Sequence, residues 1–552
     1  MDRTFTVGDY LLARLTEIGI RHLFGVPGDY NLAFLDHVIG HERIGWVGNA
    51  NELGAAYAAD GYARVNGVGA LLTTYGVGEL SAINGIAGAY AEYLPVIHVV
   101  GAPSTGAQRA GALLHHTLGD GDFEHFARAH AEVTVAQAYL TPGNAAAEID
   151  RVIGTSLRER RPGYLVVPTD VAASPIDRPA ARLVVAGPDV SARVRDDFLA
   201  QARAMLTEAG SVTVLADFLA DRFGSRDEVA ELVSAGGFPH ATLSLGKSVV
   251  DESDPGFVGV YSGSASAKAT RVAVEDADVL ISVGVRFTDT TTTGFSHRVA
   301  PERTIDVQPF ATRIGDRQFA PLPMKTAVTA LTEVVRELGR PWQAEVPAVD
   351  EPERVPGETL QQADFWRAIE RFLRPGDIVV AEQGTSFFGG QAVRLPAGAT
   401  FIGQPLWGSI GYTLPAALGA QTAAPDRRTV LLIGDGSAQM TAQEIGTMLR
   451  EGRNPIVILI NNDGYTVERA IHGPEQRYND IARWNWSLVP AAMGAADQVT
   501  TLRAATAAEL TAALDTAAGA DGFVLLEAVL PRMDLPEVLA AVSRSIAAAN
   551  AA

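Results

Sequence analysis

Residues 434–473 read GDGSAQMTAQEIGTMLREGRNPIVILINNDGYTVERAIHG. The stretch follows the apolar run Val430-Leu431-Leu432-Ile433, and a second run, Pro455 to Ile460, ends at Asn461-Asn462. Strand, glycine-rich turn, helix and strand in that order make a βαβ unit, whose two strands end at the same edge of a parallel sheet. Asp435 and Asn462 are far apart in sequence, yet such a unit lets them meet around one cation. Asp435 offers an anionic oxygen, Asn462 a neutral one, and Gly464 lets a backbone carbonyl turn inward. Oxygen ligands of low total charge suit Mg²⁺, which keeps phosphate and water oxygens in its shell. Gly436 and Ser437 open the following helix, where backbone N–H groups bind phosphate. GDG alone fits an ordinary βα turn with Asp as cap just as well; Asn-Asn at the end of the next strand favours a magnesium-diphosphate site.

The rest of the chain narrows the class of protein. With 552 residues it exceeds one hydrophobic core, and length suggests about three domains. A net charge of -20 argues against nucleic acid or an anionic membrane as partner. There is no cysteine, which excludes disulfides, thiolate nucleophiles and thiolate metal sites. The N-terminal MDRTFTVGDYLLARL has no cationic lead before an apolar run, and no apolar run approaches a membrane span, so the cytoplasm is the expected compartment.

Three α/β blocks follow one another, at 1–180, 190–342 and 357–552. Linkers are expected at Ala172 to Pro188 and at Trp342 to Gly357, the second rich in Pro and Glu. In the first block an amphipathic helix (Gly8 to Ile20), a strand (His22 to Val26), an Ala-rich helix (Glu52 to Val65) and two apolar strands (Ala70 to Thr74, Val96 to Val100) alternate. Such alternation implies a doubly wound parallel sheet in each block. Blocks one and three both place glycine-rich loops after apolar strands, which suggests similar folds.

The run from GDG through NN-DGYT-VE resembles the signature of thiamine diphosphate enzymes, and among them the 2-oxo acid decarboxylases acting on pyruvate, indolepyruvate and branched-chain acids. VPGDYNL at 26–32, NELGAAYAADGYAR at 51–64, LHHTLGDGDF at 114–123, GTSFF at 384–388 and QPLWGSIGYTLPAALG at 404–419 look like family segments in family order. The resemblance implies a pyrimidine-binding domain, a central domain and a diphosphate-binding domain. It also implies thiamine diphosphate and Mg²⁺ as cofactors and active sites shared between subunits, with a dimer as minimum and a tetramer usual. Acetolactate-type carboligases are the alternative enzyme class, and those that bind FAD generally lack the His115-His116 pair.

The resemblance also assigns roles. Glu52 would share a proton with the pyrimidine ring and promote its reactive imino tautomer; by itself a Glu at a helix start also serves the helix dipole. The carbonyl of Gly408 would accept from the ring amino group, and Ile410 would wedge the cofactor into its bent form. Thr74 and Thr385 join the cofactor set with Asp435, Gly436, Ser437, Asn462 and Gly464, of which Asp435, Asn462 and Gly464 hold the metal. His115, His116, Asp29 and Glu468 would handle the substrate carboxylate and the product protons. The substrate wall would be drawn from Thr290, Gln383, Phe387, Phe388, Val467, Ile471, Val538 and Val542. Val538 and Val542, four apart on a C-terminal helix, read equally well as core packing. Thr290 stands where pyruvate-specific relatives tend to carry an aromatic, so a roomy apolar pocket for aromatic or branched 2-oxo acids is expected, with a pyruvate preference as the alternative.

Overall fold

Short apolar runs, bounded by glycine and polar turns, fold into strands buried on both faces, as in Val96–Ala102 and Gly163–Pro168. The computed structural model describes residues 4–342, 357–494 and 499–551. The second expected linker lies largely outside them.

Three sheets follow in chain order. The first contains β1 (His22–Gly25), β2 (Gly45–Gly48), β3 (Gly69–Thr74), β4 (Val96–Ala102), β5 (Ala136–Tyr139) and β6 (Gly163–Pro168), in the order β2-β1-β3-β4-β6-β5. The central sheet contains β7 (Val212–Ala216), β8 (His240–Thr242), β9 (Phe257–Val260), β10 (Val279–Val283), β11 (Thr304–Val307), β12 (Thr312–Ile314) and β13 (Arg317–Phe319). It is parallel apart from its β11-β12-β13 edge, which is antiparallel. The third contains β14 (Ile378–Ala381), β15 (Thr400–Ile402), β16 (Thr429–Gly434), β17 (Ile456–Asn461), β18 (Val499–Ala504) and β19 (Phe523–Val529), in the order β15-β14-β16-β17-β19-β18. Counted from their own first strands, the first and third sheets have the same order, and every pair in both is parallel. The expected α/β class and the likeness of the two outer blocks therefore hold.

In each outer sheet the chain first steps outward, from β1 to β2 or from β14 to β15, and then reverses to the other side. The loops leaving β1 and β3 diverge, as do those leaving β14 and β16, and a crevice opens at each switch point. The stretch 434–473 lies along the third crevice. Its helix is in two pieces, Asp435–Thr441 and Glu444–Arg450, rather than the single helix the pattern predicts.

The two outer sheets are joined through their small-residue helices. Glu52–Asn66 packs on Thr413–Ala423 so closely that a Cβ on Gly61 would lie 2.2 Å from the Ala416 carbonyl oxygen, and one on Gly419 1.9 Å from that of Ala58. The alanines and glycines of AAYAADGYA and PAALGA are thus a packing requirement. Beside them Arg64, fully buried, pairs with Asp60 and Glu92, each at 2.7 Å. A second core fills the central sheet around Phe198, Val214, Ile281 and Leu331. Among the described residues no helix is long and apolar enough to cross a membrane.

Candidate active site

The third crevice gathers oxygen atoms. Asp435 follows β16 directly and opens its helix; its carboxylate accepts from Gly436 N at 2.8 Å and Gly464 N at 3.1 Å. Burial pushes its carboxyl up to about 6, against the pull of these N–H donors. Asn462 follows β17 and is 4% exposed. Its side-chain oxygen stands 3.2 Å from both the Gly464 carbonyl and Asp435 Oδ1, so three acceptors converge with no proton among them. Turning the amide over would satisfy the group without any ion, with its oxygen accepting from Thr466 Oγ1 at 2.9 Å. One carboxylate and two neutral oxygens facing one point are also the donor set of a hard divalent cation, which the residues therefore fit. Gly464, at φ +113°, lets the chain turn its carbonyl inward, and a Cβ there would lie 2.4 Å from the Asn479 carbonyl oxygen.

Around this point the other residues expected at the diphosphate end assemble. Thr385 begins the helix Thr385–Gly390 and accepts from Asn462 Nδ2 at 3.4 Å. Gly436 and Ser437 lie in the first turn after Asp435, both buried. Gly408 sits at φ +67° in the turn before the helix Thr413–Ala423, with Ile410 half-buried two residues on. Among the described residues no donor reaches the Gly408 carbonyl.

The first crevice carries a different chemistry. Glu52 opens its helix behind the N-cap Asn51, which accepts from Gly54 N at 2.7 Å. Burial raises the Glu52 carboxyl above its ordinary range. Its Oε1 lies beside Gly78, where a Cβ would be 3.2 Å away, and the same Cβ would be 3.1 Å from Thr74 Cγ2. Thr74 is buried, and its hydroxyl has no partner among the described residues. Asp29 follows β1 by four residues. Its Oδ2 lies 2.7 Å from His115 Nε2, and its Oδ1 lies 3.8 Å from His116 Nε2. The two imidazoles meet edge to face at 4.6 Å, with His116 at φ +63°. Adjacent histidines thus share one carboxylate because the chain turns between them. Tyr30 stacks on His115 at 4.9 Å and reaches its Nδ1 at 3.3 Å, a support that the sequence reading did not single out.

The remaining expectations divide. Thr290 donates to the Pro405 carbonyl at 3.3 Å, which ties the central unit to the turn at 404–413. Gln383, Gly384 and Val467 lie together: a Cβ on Gly384 would meet Val467 Cγ2 at 3.3 Å, and Gln383 Oε1 is buried without a partner. Ile471 is half-buried on the helix Thr466–His472. Phe387, Phe388 and Val542 are almost wholly buried and belong to one core with Phe401 and Trp366, while Val538 packs at its margin. Glu468 is exposed on the helix Thr466–His472, and no hydrogen bond or ion pair joins it to Asp29, His115 or His116.

Comparison with known proteins gives the family. Residues 5–143 match the thiamine pyrophosphate enzyme N-terminal TPP binding domain, 199–338 the central domain and 384–528 the C-terminal TPP binding domain. Proteins named alpha-keto-acid decarboxylase are similar over nearly the whole chain. That of Mycolicibacterium paratuberculosis is 53% identical over 97% of this chain and 95% of its own length. That of Mycobacterium ulcerans is 52% identical over 98% and 95%. That of Mycobacterium tuberculosis H37Rv is 50% identical over 99% and 98%. The chain belongs to the thiamine pyrophosphate enzymes and, within them, to the 2-oxo acid decarboxylase family.

Proposed function

We propose that the protein decarboxylates a 2-oxo acid non-oxidatively to an aldehyde and CO₂, using thiamine diphosphate with Mg²⁺, and that it favours bulky aromatic or branched-chain substrates. The observation that carries the reading is the pairing of two crevices: an oxygen cradle at Asp435, Asn462 and Gly464 in one, and the Glu52 carboxyl and a His-His-Asp cluster in the other. When bound, thiamine diphosphate supplies the electron sink for loss of CO₂.

In this reading Asp435, Asn462 and the Gly464 carbonyl hold Mg²⁺, and Gly436, Ser437 and Thr385 hold the diphosphate. Thr74 lies at the pyrimidine end with Glu52. Gly408 offers its carbonyl to the ring amino group and Ile410 supports the ring. Glu52, whose burial favours the protonated carboxyl, is suited to move a proton to and from a ring nitrogen. Asp29, His115, His116 and Glu468 receive the substrate carboxylate and deliver the product proton. Thr290, Gln383 and Val467, with Ile471 and Val538, line the substrate side; Phe387, Phe388 and Val542 shape it from behind as core. The three units divide at about 1–180, 190–342 and 357–552.

A homo-oligomer, a dimer at least and a tetramer by family resemblance, completes the site. Within one chain no hydrogen bond or ion pair joins Glu468 to the His pair, and the apolar side chains flanking that pair, Leu113 and Leu118, are 72% and 64% exposed. A second copy would cover them.

Aldehyde release from pyruvate, 3-methyl-2-oxobutanoate, phenylpyruvate and indolepyruvate, followed by coupled reduction, tests the function. Higher kcat/KM on the bulky acids is expected, and a clear preference for pyruvate would overturn the substrate assignment. No aldehyde from any of them, with condensation products instead, would point to an acetolactate-type carboligase. Thr290→Tyr should lower the preference for bulky acids over pyruvate by about tenfold, since a pocket change of this kind is worth roughly 1–3 kcal/mol. An unchanged ratio would remove Thr290 from the pocket.

A further inference from the structure

The turn at 404–413 carries the two groups expected to shape the cofactor, and it is fastened from both sides. On one side, Trp407 Nε1 donates to Asn84 Oδ1 at 2.8 Å, and the Ser409 hydroxyl meets that of Tyr57 at 2.6 Å. On the other side the fastening comes from Glu382, a residue to which the motifs assigned no role. It is 1% exposed and forms no ion pair among the described residues. Its Oε2 accepts from Gly411 N at 3.1 Å, Thr413 N at 3.2 Å and Thr413 Oγ1 at 2.8 Å; its Oε1 accepts from Gln383 N at 3.0 Å. Its backbone is tied as firmly: Glu382 N donates to the Leu432 carbonyl and Phe387 N to the Glu382 carbonyl, both at 2.9 Å.

One carboxylate thus joins three parts of the third crevice. It caps the helix Thr413–Ala423, holds the corner Gln383–Thr385, and follows β14, the strand beside the β16 that leads into Asp435. All four contacts are donors, so the group is needed as an acceptor, and a carboxylate is acceptor-only when ionised. Burial opposes that ionised form and pushes the carboxyl up to about 7. An apolar residue there would escape the desolvation cost but would leave the N–H groups of Gln383, Gly411 and Thr413 and the Thr413 hydroxyl without this acceptor. The acid is therefore what holds these segments to one another.

We propose that Glu382 is a positioning residue for the reaction: its carboxylate sets the 408–412 turn against the Gln383–Thr385 corner and thereby aims the Gly408 carbonyl and the Ile410 side chain. The inference rests on the cofactor reading above.

Glu382→Gln in the full-length protein tests it, because Gln keeps the size but presents an NH₂ to a site filled with donors. Asp217→Asn is the control. Asp217 is likewise wholly buried, pushed up to about 7, and bonded to backbone N–H groups, but it lies in the central sheet. Binding of thiamine diphosphate with Mg²⁺ to the metal-stripped protein is followed by tryptophan fluorescence, with Trp407 in the turn itself as a reporter. Thermal unfolding of the cofactor-free variants is measured in parallel. Glu382→Gln should raise the half-saturating cofactor concentration at least about tenfold, the loss of one charge-assisted hydrogen bond. Its melting temperature should differ from wild type by no more than that of Asp217→Asn does. Asp217→Asn should bind cofactor as wild type. Wild-type half-saturation in Glu382→Gln overturns the proposal, as does a binding loss of equal size in Asp217→Asn. If Glu382→Gln does not fold, Glu382→Asp, which shortens the reach, decides by the same criterion. Wild-type protein that binds no thiamine diphosphate would overturn the cofactor reading itself.

Discussion

The first and third sheets have one strand order and two chemistries. Each opens a crevice at its switch point, between β1 and β3 and between β14 and β16. In the third, the groups at the strand ends are buried oxygens, Asp435 and Asn462, a donor set that fits a divalent cation. In the first they are proton-exchanging groups, and the His115-His116-Asp29 cluster lies open, with side chains 59%, 31% and 47% exposed. In the proposed function one architecture serves as anchor in one copy and as reactor in the other. The difference lies in loops of a few residues, since topology fixes where a site forms but not what it does.

That contrast can be broken by paired substitutions. Glu52→Gln keeps the shape of the first crevice and removes its ionisable group. Turnover should fall about 10²–10⁴-fold, the usual worth of a positioned acid-base group, while thiamine diphosphate binding changes little. Steady-state aldehyde release and fluorescence titration measure the two halves, and a variant with near-wild-type turnover would end the assignment. Asp435→Asn should behave in the opposite way. Cofactor and metal affinity should fall about 10–100-fold or more, and much of the turnover should return at high Mg²⁺ and cofactor. If both variants lost affinity equally, the division into anchor and reactor would be wrong.

Much of this arrangement is legible in the sequence, because it lies in short-range patterns. The apolar runs before GDG and NN specify strands, and parallel βαβ geometry alone brings Asp435 to Asn462. The Ala-rich helix at Glu52 to Val65 is visible in the sequence, but its contact with the helix Thr413–Ala423 is not, since small residues say that something comes close without saying what. Glu382 escaped for a related reason. It ends the apolar run DIVVA, where an acid reads as the surface end of a strand, and its four donors come from Gln383, Gly411 and Thr413. The break in the helix after Thr441 was hidden because 434–450 holds no proline, and its apolar spacing runs on through the break. Phe387 and Phe388 read as pocket walls from their motif, and their packing with Phe401 and Trp366 depends on distant segments that the motif does not carry.

Smaller effects sharpen the comparison within the first unit. Asp29→Asn should lower turnover by about 10²-fold with cofactor binding unchanged, since the carboxylate holds His115 at 2.7 Å and faces His116 at 3.8 Å. Equal losses of turnover and cofactor affinity would move Asp29 to the anchor side.

Below that cluster lies Glu79, wholly buried, accepting from Gly76 N at 2.8 Å and the Tyr164 hydroxyl at 2.5 Å. Gly76 in turn abuts the His116 carbonyl, where a Cβ would come within 2.0 Å. Burial pushes the Glu79 carboxyl up to about 7, from an ordinary value of 4.5. The folded protein therefore holds this proton more tightly than the unfolded chain does. Its contribution to stability is fully present below about pH 4.5 and is lost as pH rises to about 7, a change on the order of 3 kcal/mol by linkage. Burial pushes Asp217 and Glu382 up to about 7 and Asp435 to about 6, so the wild-type slope alone cannot isolate Glu79. Glu79→Gln removes only its own share. Urea unfolding at pH 5 and pH 7.5 should show a smaller stability difference in the variant than in wild type, and equal differences would mean that Glu79 is ionised throughout and that the support beneath His116 carries a charge.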